Sequence, residues 1–125
     1  MIKSFDYDQV QFKSQKLLFE FENDLKGHVR QMVLTIANRF YQLYGIPFII
    51  TSVIRDGSGD HSTGLAVDIR AKTLSAQVIS EIVNRFNEFY PRSKKIRLGN
   101  GKEIIARTAY AHGTGNSFHI HVAHE

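Results

Sequence analysis

Between residues 25 and 44, "LKGHVRQMVLTIANRFYQLY" repeats apolar side chains at three- and four-residue intervals. Leu25, Val29, Met32, Val33, Ile36, Ala37, Phe40 and Tyr44 fall on one stripe, which predicts an amphipathic helix. Gly45 and Pro47 stop it, and Asn23 or Asp24 is placed to cap its start. A second stripe carries Val78, Ile79, Ile82, Val83, Phe86 and Phe89, with Ser75 as its cap and Pro91 past its end. Elsewhere the period shortens. "FIITSVI" (48–54) is a continuous apolar run, the pattern of a buried strand, whereas "LAVDIRA" (65–71) and "FHIHV" (118–122) alternate. "KKIRLGNGKEIIAR" (94–107) predicts a hairpin turning at Gly99-Asn100-Gly101. Residues 8–22 read two ways: Val10 and Phe12 alternate like a strand, and Leu17, Leu18, Phe19 and Phe21 suit a helix. This order of elements predicts an α+β fold, an antiparallel sheet backed by N-terminal and central helices. No repeat, low-complexity tract or linker interrupts it, so residues 1–125 read as a single domain.

Composition narrows the chemistry. A hydrophobic fraction of 42% with nine phenylalanines supports a folded core rather than disorder. There is no cysteine, so disulfides and thiolate metal sites are excluded, and any metal must be held by His, Asp or Glu. The first 25 residues are charged from Lys3 onward, and we expect neither a signal peptide nor a transmembrane helix. The net charge is +4, densest in "YPRSKKIRLGNGK" (90–102). That stretch reads as a solvated face, or more sharply as a surface for an anionic polymer. No nucleic-acid-binding module is legible, and no nucleic-acid partner is expected.

The six histidines are unevenly placed, three of them in the last eight residues. Alternation puts Phe118, Ile120 and Val122 on one face of the last strand and His119 and His121 on the other. In "LAVDIR", Ala66, Asp68 and Arg70 likewise oppose Leu65, Val67 and Ile69. If the two strands are neighbours, Asp68 lies near His119 and His121. Gly64 lets the preceding loop turn back, bringing His61 to the same point. A His, Asp, His donor set suits a borderline-soft divalent ion, zinc first of all. Three protein ligands leave a fourth position for water, whose pKa zinc lowers to about 7.

"HSTGLAVD" (61–68) resembles the H-x-x-G-x-A-x-D motif of D-alanyl-D-alanine metallopeptidases and related phage endopeptidases. "HIH" (119–121) resembles the H-x-H element of the wider group that includes lysostaphin-type peptidases and the hedgehog signalling domain. The resemblance covers roughly residues 48–122. It implies a hedgehog/DD-peptidase-like fold, zinc held by His61, Asp68 and His121, and His119 as the nonligating histidine beside the water. It also implies that Arg55, closing "TSVIR", grips a substrate carboxylate in a bidentate fork. The activity implied is hydrolysis of an amide bond in peptidoglycan peptides, by a cell-wall enzyme released from the cytoplasm or carried on a phage-type particle.

The chain departs from the family pattern. Gly59 stands where a serine commonly precedes the first zinc histidine. Phe118 and Gly115 stand where the two branches carry a catalytic glutamate. His119 is therefore the leading general base, His112 in "YAHGTGN" the second, and Asp60 and Glu125 outside candidates. The rival readings are a zinc-containing binding domain without turnover and a virion or structural component that keeps the fold. His28 and His124 read as ordinary hydrogen-bonded residues.

Overall fold

In the computed structural model, residues 1–54 and 60–125 are described. A six-stranded sheet runs in the order β1-β2-β3-β4-β8-β7. Its strands are β1 (Ile2–Lys3), β2 (Val10–Phe12), β3 (Phe48–Ser52), β4 (Ala66–Arg70), β7 (Ala109–His112) and β8 (His119–Ala123). The predicted hairpin forms as a separate two-stranded ribbon, β5 (Lys95–Arg97) with β6 (Glu103–Ile105). The helices are α1 (Gln15–Asn23), α2 (Gly27–Tyr44) and α3 (Ala76–Phe89). This is a mixed arrangement of helices and a mostly antiparallel sheet, as an α+β reading requires. One pair departs from it: β2 runs parallel to β3, because α1 and α2 carry the chain back across the sheet between them.

Residues 8–22 resolve into both of the predicted patterns. Val10 and Phe12 bury their side chains from β2, and Ser14 then caps α1 by accepting from the Leu17 N–H. On α2 the predicted stripe is buried except at its last member. Tyr44 is exposed in the final turn, where it stacks on Phe40 and hydrogen-bonds Glu81. The expected cap of α2 was misplaced. Its N-cap is Lys26, without a side-chain bond, while Asp24 closes α1 and the Asn23 amide donates to the Phe19 carbonyl. Three residues separate the helices, so both candidates finish the first instead of starting the second. Ser75 caps α3 as expected, accepting from Val78. Ile82 and Phe86 of α3 are buried, whereas Phe89 is exposed beneath the Arg85 guanidinium.

The core gathers these helix stripes against one face of the sheet. Ile50, Val67, Ile69, Ile120 and Val122 are all fully buried there. At about 25 cal/mol per Å² of apolar surface, burying each such side chain contributes roughly 1.5–3 kcal/mol before ordering costs. The strands that carry the chemistry are therefore pinned at the centre of the sheet. Among the described residues, no helix is long and apolar enough to cross a membrane.

Candidate metal centre

Strands β4 and β8 are antiparallel neighbours, with Asp68 opposite His121 and Arg70 opposite His119. The side chains that alternation turned away from the core thus meet on one face. His61 arrives from the loop before β4. Gly64 makes that approach possible at φ +74°, and a Cβ there would sit 2.7 Å from the Asp24 carbonyl oxygen. The Lys26 N–H donates to the Gly64 carbonyl at 2.9 Å, tying the loop to the start of α2.

The contacts converge on a single oxygen. Asp68 Oδ1 lies 3.2 Å from His61 Nε2, 3.2 Å from His121 Nδ1 and 3.7 Å from His119 Nε2. One ligand atom from each of His61, Asp68 and His121 lies within 4.8 Å of the others. His61 and Asp68 are buried and His121 half-buried. Burial alone would push the Asp68 carboxyl up. Hydrogen bonds from His121 and His61, with the charges of His61 and His119, outweigh it and hold the group well below the usual carboxylate range.

The His61 ring is oriented from behind. Its Nδ1 donates to the Val53 carbonyl at 2.7 Å, since a carbonyl only accepts. Nε2 then meets the carboxylate oxygen either as the N–H of a charged ring or, in the neutral ring, as a bare lone pair. Two acceptors 3.2 Å apart in a buried place need a proton or a cation between them. Tetrahedral zinc with bonds of ~2.0–2.1 Å separates its ligand atoms by roughly 3.3 Å. The donor set and its spacing therefore fit the metal. A backbone carbonyl behind a ligating imidazole is also the arrangement that fixes a metal-binding tautomer.

His119 is held the same way, with Nδ1 donating to the Ser117 carbonyl at 2.7 Å. Its Nε2 faces the centre but stands farther from Asp68 than the other two rings. His112, the second general-base candidate, ends β7 as the register partner of His119, and their ring centroids are 5.5 Å apart. Its side is exposed. Tyr110, which the sequence reading missed, pairs with His121 in the ladder, with centroids 5.0 Å apart. "AYAH" gave little signal of a strand, and without β7 nothing placed Tyr110 beside the centre. Arg55 and Gly59 lie outside the described residues.

Asp60 and Glu125 have other work. The buried Arg92 guanidinium bonds Glu125 at 2.6 Å and Asp60 at 3.4 Å, and Lys94 reaches Asp60 at 3.3 Å. Burial raises the Glu125 carboxyl, but Arg92 and the N–H groups of Lys94 and Ser93 outweigh it, leaving a pKa of about 2. This network braces the residue next to His61 against the far end of the chain. It also shows that part of the basic stretch is neutralised internally. His28 and His124 are hydrogen-bonded to backbone carbonyls, as expected.

Fold and site together define a mixed α/β protein with a His–Asp–His cluster able to hold a metal ion. No protein-family model matches the chain, and no solved structure matches it. It is similar to part of the cytoplasmic serine–tRNA ligase of Homo sapiens, 25% identical over 103 residues. The Rattus norvegicus enzyme is 28% identical over the same length; each match covers 80% of this chain and 20% of the ligase. The Danio rerio enzyme is 28% identical over 78 residues, 61% of this chain and 15% of that protein. The chain thus spans about a fifth or less of the length of these curated relatives.

Proposed function

We propose that this protein is a zinc-dependent hydrolase of an amide bond in peptidoglycan peptides, with His61, Asp68 and His121 as the metal ligands. The observation that carries the reading is the pair of 3.2 Å separations from Asp68 Oδ1 to His61 Nε2 and His121 Nδ1. Both are near the edge of a zinc tetrahedron, roughly 3.3 Å, and all three ligand atoms lie within 4.8 Å of one another. The family resemblance of "HSTGLAVD" and "HIH" supports the choice of amide chemistry. The tRNA ligase likeness assigns no role to these residues.

Zinc bound there would supply an acidified water and a Lewis acid for the scissile carbonyl. The protein's own groups manage the proton. His119 has its Nδ1 engaged by Ser117, so Nε2 is free to accept a proton at the centre and return it to the leaving amine. His112, exposed and next to His119, can relay the proton to solvent. The Tyr110 hydroxyl, on the strand beside His121, is a donor for charge developing on the carbonyl oxygen. Such an enzyme would act at the cell wall, once released or as part of a phage-type particle.

One observation favours a second reading, a zinc-containing binding domain without turnover. Of the described carboxylates near the centre, Asp68 faces the ligand set, while Asp60 and Glu125 are tied to Arg92. A histidine must then replace the usual carboxylate base. Incubating the zinc-loaded protein with purified wall peptides separates the two. New amine termini support the hydrolase; retention on sacculi without cleavage supports the binder and rules out the hydrolase.

A further inference from the structure

Three cations meet in a cleft that opens directly beside the proposed metal centre. Lys13, Arg70 and Lys72 line it together with Thr51, Ser52 and Asn116, around a volume of about 420 Å³. They come from three places in the sequence. Lys13 follows β2, where its N–H donates to the Ile50 carbonyl at 3.0 Å and seats it against β3. Arg70 ends β4 opposite His119, on the same face as Asp68. Lys72 follows two residues later and is exposed.

These cations differ from the paired members of the basic stretch, though Lys95 and Lys102 of that stretch are likewise without a carboxylate partner among the described residues. Arg92, Lys94 and Arg97 each have a carboxylate within ion-pair reach. Among the described residues, Lys13, Arg70 and Lys72 have none. Among the described residues, the acid that lines their cleft is Asp68, which the histidines hold. Unneutralised cations gathered in a concave site focus a positive field and concentrate anions there. Three charges exceed what a single carboxylate would balance. Among the described residues, the cleft also lacks a row of exposed aromatic rings on which bases of a single strand would stack.

We propose that this cleft binds the acidic part of a substrate peptide, a segment bearing at least two carboxylates close to the scissile amide. This deepens the hydrolase reading and rests on it. The Arg70 guanidinium offers a planar fork to one carboxylate, and Lys13 and Lys72 offer point charges to a second. Hydroxyls of Thr51 and Ser52 and the Asn116 amide can donate to the remaining oxygens. Arg70 is two residues from Asp68, roughly 6–7 Å along the strand. An extended chain covers that distance in about two residues. The first carboxylate therefore sits about two residues from the bond that is cut.

The test compares a wall peptide carrying free carboxylates with the same peptide amidated at each, measuring binding to the zinc-loaded protein by calorimetry and cleavage by amine release. We expect the acidic peptide to bind about tenfold more tightly at low salt, as charge-assisted bonds to partly exposed groups allow. Arg70→Gln should remove most of that preference, and Lys13→Gln or Lys72→Gln a few-fold each, with zinc content unchanged. Equal binding of the two peptides, or a preference that survives Arg70→Gln, overturns the assignment. Preference without cleavage upholds the cleft and defeats the hydrolase reading; cleavage without preference does the reverse. If a single-stranded oligonucleotide displaces the acidic peptide at lower concentration, and Arg70→Gln abolishes its binding, the cleft belongs to nucleic acid and the proposal fails.

Discussion

The two faces of β4 and β8 are built from the same five-residue strands and do opposite things. On one face Val67, Ile69, Ile120 and Val122 are sealed from solvent against the helices. On the other, Asp68 is surrounded by His61, His119 and His121, with clefts opening on either side. The apolar face stabilises the fold by removing oily surface from water. The polar face gathers groups whose mutual satisfaction needs protons or a cation. Because alternation assigns each residue to one face, the two can be disturbed separately.

The largest effect should come from the ligand set. His61→Ala, Asp68→Ala or His121→Ala should each weaken zinc binding by at least about 10²-fold, since even partners behind a ligand cost 10–100-fold. The fold should persist, which circular dichroism of the metal-free variants would check. Unchanged zinc affinity in any one of them removes that residue from the centre. His119→Ala sharpens the distinction within the polar face. It should retain stoichiometric zinc and lose roughly 10²–10⁴-fold in amide hydrolysis, the range of general acid–base groups. Loss of zinc in this variant would make His119 a ligand. A larger loss from His112→Ala would move the proton relay to β7.

The apolar face is tested by Ile120→Ala, which should destabilise the protein by about 2–5 kcal/mol in denaturant titrations. The folded fraction should still bind one zinc. Reduced stoichiometry in that fraction would show that the two faces are coupled after all.

The smallest effect lies away from both faces, at Glu125. Its carboxyl has an ordinary value of 4.5 and a folded value of about 2, so the folded state favours the ionised form. Its contribution is therefore present above pH 4.5 and lost as the pH falls toward 2. In metal-free protein, Glu125→Gln should flatten the stability profile across that window and leave it parallel to wild type at neutral pH. An unaltered acid profile would show that the Arg92 contact contributes nothing.

Much of this comparison was legible in the sequence, because alternation in "LAVDIR" and "FHIHV" already separated the faces. The pairing of β4 with β8 was needed to bring them together, and the register then placed Asp68 opposite His121. What escaped was nonlocal. "AYAH" carries two alanines and no periodic signal, and becomes β7 only by pairing with β8. Tyr110 and the strand position of His112 were lost with it. Arg92 read as part of a solvated basic face, yet it is buried because Asp60 and Glu125, more than thirty positions away, reach it. The cations of the cleft are at 13, 70 and 72, too scattered for a charge run to reveal. The cap of α2 failed for a local reason, since the connection after α1 is short enough that one helix claims both candidate residues.

The central claim is that the polar face holds one zinc ion, and metal analysis tests it most directly. Protein purified under zinc-replete conditions, dialysed and measured by elemental analysis should carry about one zinc per chain, and His121→Ala close to none. Wild-type protein that is metal-free after the same treatment, or equal zinc in both, would contradict it.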